Sequence, residues 1–449
     1  MDSLKKTLRD VFQYPSAVAG IFIILLLVAL AVYAVVTIPY DEAIRLWRGG
    51  EEVWYQNPKY APPVWMNYFS SKKQPVSFAV KSENGSLSKK VTLGAQDTSS
   101  INFTYDFDYE YDGYPQEMML YFKTKFAEKQ PFVSVYLLTP DGRKLRAGDF
   151  GVPKTLTFRF SQDEKLKARM KSDELMTALF TAPDNTAEEP LPLKGKYQLI
   201  IDGVTFEQGS DIDVEFVFHG QVAGMAGTDH ARRDLMIPLI WGAPIALAFG
   251  LIASMGTSVL TMIIAAIGAW YGGWVDELIQ RITEVNLVLP FLSILIMVGT
   301  FYSRSIWTIL SVTILLSIFT GGIKGYRAIF LQVKESTYIE AARAYGASNT
   351  RLIFVYMIPR MIPLLIPALV TSVPSYVFLE ASLAVLGLGD PVLPTWGKII
   401  NDAEGNGALY KGLYYWIMEP AALLMVTGLG FAMLGFALDR IFNPRLRGM

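Results

Sequence analysis

The sequence predicts an α-helical polytopic membrane protein of six transmembrane helices with an inserted, extracytoplasmic, mainly-β domain of sandwich type. Three observations carry this. The 449 residues are 52% hydrophobic and only 18% charged, and the apolar residues gather into six long uncharged runs. One polar block of strand-like texture separates the first run from the rest. Basic residues fall in three groups that one topology places on the same side.

The runs are Ala17–Tyr40, Leu235–Val275, Val285–Ser303, Ser305–Ile323, Met361–Leu379 and Pro420–Leu438. Each is long enough, or nearly so, to cross the ~30 Å of hydrocarbon at about 1.5 Å rise per residue. The first is about twice as long as a secretory signal core, and no clear A-x-A site follows it, which predicts an uncleaved anchor. Lys5, Lys6 and Arg9 precede it; Lys324, Arg327, Lys334, Arg343, Arg351 and Arg360 lie between the fourth and fifth runs; Arg440, Arg445 and Arg447 follow the sixth. Excess Lys and Arg mark cytoplasmic segments, so both termini are expected inside a plasma or inner cell membrane, with the turn at Arg304 outside. The resulting division is 1–40, 41–227 and 228–449, with a polar cytoplasmic loop at about 335–359.

Within the insert, Ile101, Phe103, Tyr105, Phe107, Tyr109 and Tyr111 alternate with polar residues, the period of a strand with one buried face. Asp112-Gly113 then predicts a hairpin turn. Further strands are expected at Phe132–Thr139, Thr155–Phe160, Tyr197–Asp202 and Asp211–Phe218, and one helix over Gln162–Phe180. Asp106, Asp108 and Glu110 share the wet face; they are read as solvated carboxylates, with calcium as the competing reading.

Several chemistries lack their residues. There is no cysteine, and the two histidines, His219 and His230, have no metal-ligand spacing. No phosphate-binding G-x-x-x-x-G-K-[ST] occurs, since Gly195-Lys196 is followed by Tyr197 and Gly397-Lys398 by Ile399. A net charge of −1 offers nothing to nucleic acid. The chain therefore reads as a carrier or channel and not an enzyme, and any ATP that drives it must be bound by other subunits.

The polar loop has its own pattern. Thr337 and Glu340 predict a capping box. Ala341, Ala342 and Ala344 leave a low-relief helix surface, with Glu340 and Arg343 at its rim. Gly346 predicts a left-handed stop, and Ser348 caps a second helix that enters the fifth span. Physics alone leaves open whether this knuckle docks a partner or is an ordinary amphipathic loop. In the fifth span, Pro359, Pro363, Pro367 and Pro374 predict a hinge or a static bend. Glu380, near its outer end, is a pathway candidate because a carboxylate in a membrane helix usually faces a cavity. Ser372 and Ser375 could line the same path or pack helix to helix.

Glu340-Ala341-Ala342, Gly346 and Ile358-Pro359 resemble the EAA loop of permease subunits in bacterial and archaeal ABC importers, with Tyr356 where Ile or His is usual. Gly227-Thr228-Asp229, Arg233-Asp234 and Gly242 resemble the peptide/nickel branch of that family. So do Tyr271-Gly272-Gly273-Trp274-Val275-Asp276 with Arg281 and Pro290, and Leu386-Gly387-Leu388-Gly389 with Pro394, Trp396 and Gly397. The resemblance runs from about Gly227 to Pro444. Arg232 stands where Gly is usual, Pro238 and Pro244 stand where Arg is common, and the insert is far larger than the family's loop.

The resemblance implies a type I ABC importer permease paired with a second permease subunit, two ATP-binding subunits that hold ATP and Mg, and an extracellular substrate-binding protein. The loop from Glu340 to Pro359 would be the element that couples to the ATPase. Short peptides are the expected cargo. Oligosaccharides are the alternative within the branch, and a membrane-anchored receptor or scaffold acting through the β domain is the alternative outside it. The insert is expected to dock or position the substrate-binding protein.

Overall fold

The computed structural model describes residues 12–94, 98–182 and 190–442. The basic residues Lys5, Lys6, Arg9, Arg445 and Arg447, which set the expected topology, and Pro444 lie outside them. Two compact units are present, Gly49–Met236 and the pair of segments Met1–Arg48 with Ile237–Met449.

The first unit is built on two antiparallel sheets. Its strands are β1 (Phe78–Lys81), β2 (Ser88–Leu93), β3 (Ser99–Tyr109), β4 (Glu117–Lys125), β5 (Phe132–Leu138), β6 (Lys144–Gly151), β7 (Thr155–Arg159), β8 (Gly195–Thr205) and β9 (Asp211–His219). One sheet has the order β1-β9-β4-β7 and the other β2-β3-β8-β5-β6. Alternation works as expected in β3, where Ile101, Phe103, Phe107 and Tyr109 are buried while Thr104, Asp106 and Asp108 are exposed. These side chains join Leu120, Phe122 and Phe216 of the other sheet in one core, in which Phe78 stacks on Phe218 with ring centroids 4.9 Å apart.

Two expectations for this unit fail. Asp112-Gly113 is not a hairpin: β3 and β4 belong to different sheets, so the chain crosses between layers there. Asp112 is held by the Lys73 amide at 2.9 Å and the Lys194 ammonium at 2.6 Å, long-range partners that a local turn signal does not reveal. The charged segment Gln162–Phe180 is not one helix but two, Glu164–Met170 and Leu175–Phe180, because Lys171 takes a left-handed backbone at φ 51°. Strand β4 escaped the period-two signal because Met118, Met119 and Leu120 are all buried. Its outward Met119 pairs with the buried Val217 of β9, so the outer face is covered at that row.

The second unit is helical. Helix α1 (Pro15–Thr37) is followed by α2 (Tyr40–Arg48) and, after the β unit, by α3 (Met236–Tyr271), α4 (Gly273–Val288), α5 (Phe291–Phe301), α6 (Ile306–Ile318), α7 (Gly321–Lys334), α8 (Thr337–Ala344), α9 (Ile358–Leu383), α10 (Trp396–Gly405) and α11 (Tyr415–Phe442). Among the described residues, four helices are long and apolar enough to cross a membrane. The pairs α4–α5 and α6–α7 bring the number to six if each is one broken span. The runs Val285–Ser303 and Ser305–Ile323 are thus not straight helices. The first pair bends by 79° and the second by 48°. The bend at Leu289-Pro290 has a cause: proline offers no amide to the ladder and restricts the residue before it.

Candidate functional site

Helix α8 carries Glu340, Ala341, Ala342 and Arg343. Its inner side is anchored by Ile339, fully buried, and by Ala342, which pack in one cluster with Phe330, Leu352, Ile353 and Met357. Glu340, Ala341, Ala344 and Tyr345 face outward; Tyr345 is 94% exposed, and the Glu340 carboxylate makes no hydrogen bond or ion pair among the described residues. The expected capping box does not form. The N-cap is Ser336, one residue earlier, and its hydroxyl binds the Val333 carbonyl at 2.5 Å. Gly346 does adopt the left-handed backbone, at φ 80°. Beyond it, Ser348 accepts the Arg351 amide at 3.4 Å and starts the turn Asn349–Arg351.

A second layer, which no local pattern foreshadowed, fixes α8. Trp270, in the last turn of α3, lies under the Arg343 guanidinium at 5.0 Å and the Lys334 ammonium at 5.7 Å. Arg343 is therefore not a simple rim charge: it is exposed, yet it packs on an aromatic face. The Lys334 ammonium also donates to the carbonyls of Ala269 and Trp270, at 3.1 and 2.9 Å. A cation at a helix C-terminus satisfies orphan carbonyls and meets the negative end of the dipole. The next junction turns on Gly272 and Gly273, with φ of 64° and 50°, a left-handed pair that side chains resist. Asp276, in the first turn of α4, then accepts the Arg327 Nε at 2.7 Å.

Toward the membrane, residues Leu352–Met357 are wound as a π-helix, directly before Pro359. Proline cannot donate to the carbonyl four residues back, and a wider turn absorbs the fault. Helix α9 then runs unbroken through Pro363, Pro367 and Pro374, the positions read in the sequence as a hinge or a static bend. The winding stops beyond it at Gly387, with φ 81°.

The pathway candidates separate. Ser372 bonds to Ser254 of α3 at 2.6 Å, and with Ser375 it lines a cavity of about 450 Å³ that also presents Asn286, Ser317 and Thr320. Glu380 is not part of that lining. It is buried, and its carboxylate is hydrogen-bonded by Thr395 of the loop after α9. In the same loop Asp390 accepts the amide of Ile306 at 3.0 Å, at the start of α6. Trp396 reaches back to α3, where its indole Nε1 donates to the Leu239 carbonyl at 2.8 Å. A Cβ at Gly242 would stand 2.2 Å from that ring. Gly242 and Trp396, 154 positions apart in sequence, are thus one contact.

In the β unit the acidic stripe is engaged by its neighbour strand. Asp106 accepts from Gln198 at 2.6 Å and pairs with Lys196 at 3.1 Å; those two contacts, in that order, hold its carboxyl below the usual range. The described residues contain no cluster of three metal-ligating side chains.

The segment Gly227–Asp234 is tied into this unit. Thr228 bridges the Pro58 carbonyl at 2.8 Å and the Ala61 amide at 3.0 Å. Asp229, fully buried, accepts the Arg233 Nε at 2.5 Å. Arg232 stands in a left-handed backbone, φ 66°. Its guanidinium donates to the Asn57 carbonyl at 2.7 Å and to His219 Nδ1 at 3.2 Å. His219 Nε2 donates in turn to the Tyr55 carbonyl at 2.9 Å, which fixes the neutral tautomer. Burial and then the Arg232 charge push the imidazole down to about 4.

Residues 258–448 match the family model described as "Binding-protein-dependent transport system inner membrane component". The oligopeptide transport system permease protein OppC of Bacillus subtilis is 30% identical over 226 residues, which is 49% of this chain and 72% of the relative. The dipeptide transport system permease protein DppC of the same organism is 29% identical, covering 49% and 68%. The glutathione transport system permease protein GsiD of Pectobacterium atrosepticum is 25% identical, covering 49% and 72%.

Proposed function

The chain belongs to the binding-protein-dependent transport system inner membrane components, as an ABC-transporter permease of the peptide/nickel branch, and from that membership we propose that it forms half of a translocation pathway for short peptides. An extracellular binding protein delivers the peptide, a sister permease supplies the other half, and two separate ATP-binding subunits supply the energy. The peptide cargo is taken from relatives that carry oligopeptides, dipeptides and glutathione; none of these supports the oligosaccharide alternative. Both termini are cytoplasmic in this reading, and the β unit is extracytoplasmic, where it docks the binding protein.

The observation that carries the coupling role is the two-sided build of α8. Its inner side is fixed by Ile339 and Ala342 and braced through Arg343 on Trp270, while Glu340 and Tyr345 are left outward beside small alanines. A helix held rigidly on one side and bare on the other transmits a push from a partner into what it is packed on. Here that is the π-wound turn leading to Pro359 and α9, whose Pro363, Pro367 and Pro374 soften its ladder at the point where motion must enter the membrane. Ser372 and Ser375 line the path. Glu380 serves at its outer end, where Thr395 ties it to the outer loop.

The test is Glu340→Lys in the assembled complex. ATP-binding subunits should still copurify, while peptide uptake per ATP hydrolysed falls steeply. Unchanged uptake and ATPase activity would remove α8 from the coupling path. For the β unit, replacing about residues 41–220 by a short linker should weaken binding-protein association; unchanged association and transport would leave the unit with a structural role only.

A further inference from the structure

We propose that the outer face of the four-stranded sheet in the β unit is itself a binding cleft for short peptides with free termini. The face opposite the core carries a cleft of about 700 Å³, well inside the range of small-ligand sites. Strand register lays its floor in two rows. Lys81, Glu215, Tyr121 and Thr157 stand side by side across β1, β9, β4 and β7, and Asp213, Lys123 and Thr155 form the next row. The segment carrying Glu52 and Tyr55 walls one side.

The centre of this floor is rigid and satisfied. Tyr55 packs edge-on against Tyr121, with centroids 4.7 Å apart. Its hydroxyl donates to Glu215 at 2.8 Å, Gln56 donates to the same carboxylate at 2.5 Å, and Lys81 lies 3.6 Å away. The periphery is different. Glu52, Glu83 and Lys123 line the cleft and are exposed, and their charged side-chain ends make no hydrogen bond or ion pair among the described residues. One cleft thus holds unpartnered charge of both signs around a fixed aromatic centre. A neutral sugar offers hydroxyls but no charge to pair with groups of both signs, and the Tyr121 ring is already packed against Tyr55. A peptide with free termini carries one ammonium and one carboxylate, and its extended backbone needs main-chain partners. Strand β7 supplies them, since it is the last strand of its sheet and borders the cleft through Thr155, Leu156 and Thr157.

The choice of a peptide rests on the importer reading, but the site does not: it lies wholly in the β unit and touches none of the coupling or pathway residues. The test titrates the full chain in lipid nanodiscs with trialanine, with acetylated and amidated trialanine, and with maltotriose. It is repeated for Glu83→Lys and Lys123→Glu, both at exposed positions. Trialanine should bind saturably, and each charge reversal, like capping of the termini, should weaken it about tenfold. Maltotriose should not bind. Absence of saturable trialanine binding, equal binding of the capped peptide, indifference to both reversals, or a preference for maltotriose would each overturn the proposal. Uptake by the reconstituted complex separates the two readings. Trialanine transport without cleft binding sinks the cleft alone, and cleft binding without any peptide transport sinks the importer reading alone.

Discussion

Substituting Gly242 by Ala should destabilise the helical unit, although helix propensity predicts the opposite. Gly242 lies inside α3, where alanine is intrinsically better by up to about 1 kcal/mol. The added Cβ, however, would stand 2.2 Å from Trp396 Cδ1 and 2.3 Å from its Nε1. Carbon contacts relax at about 3.5–4 Å, so the indole must move by more than an ångström. Trp396 is 1% exposed, and its neighbours have little room to follow. Overpacking of this kind costs about 1–3 kcal/mol, and an indole N–H pulled off the Leu239 carbonyl while still buried adds about 1–3 kcal/mol. Set against the propensity gain, the net loss is about 1–5 kcal/mol, and at about 2–4 °C per kcal/mol for a unit of this size the thermal midpoint falls by about 2–20 °C. The assay is thermal unfolding of the chain in nanodiscs, in a double-mutant cycle with Trp396→Ala. In the Trp396→Ala background Gly242→Ala should be neutral or slightly stabilising. An equal loss in both backgrounds, or none in either, would refute the reasoning.

His219 is held neutral with its folded value near 4 against 6.5 for the free side chain, so the unfolded chain takes up the proton first as pH falls. Its contribution is complete above about pH 6.5 and is lost down to about pH 4, with a total of about 3 kcal/mol; urea unfolding of the full chain across that window should show the slope, and His219→Gln should flatten it. Gly346→Ala forces a Cβ into the left-handed region at a cost of about 1–2 kcal/mol, whereas Gly346→Asn should cost less. Amide exchange at Tyr345–Ser348 should therefore quicken for Ala more than for Asn, and equal rates in both variants would show that the α8 stop does not depend on this backbone.

What the sequence determined by itself was local or additive. Charge-free length specifies membrane helices because hydrocarbon solvates no unpaired polar group, and the bilayer thickness then sets the count. Period-two alternation specified β3 because one face is wet. A glycine before Ala347-Ser348 specified the stop of α8, since a left-handed residue is a property of one backbone position. What tertiary structure decided were the places where distant residues compete with a local preference. Asp112-Gly113 has hairpin chemistry, yet Lys73 and Lys194 draw Asp112 into a crossing between sheets. Thr337 and Glu340 have capping-box spacing, yet the preceding turn at Val333 captures Ser336 and moves the helix start. Strand β4 hid because its outward Met119 is buried as well, which breaks the alternation at that row.

The candidate site divides in the same way. Glu340, Ala342 and Gly346 were legible because a short capped helix with a glycine stop is written in consecutive residues. Trp270, which braces Arg343 and Lys334, was not, because its partners lie 64 and 73 positions away in sequence and nothing local distinguishes it from any other aromatic at a helix end. The prolines of α9 announced a hinge or a bend; the turn before Pro359 is wound as a π-helix, and the helix runs on through the other three without a break. Composition and period tell a chain which segments to make; which segments touch is settled by the sum of many weak contacts, and that sum is visible only after folding.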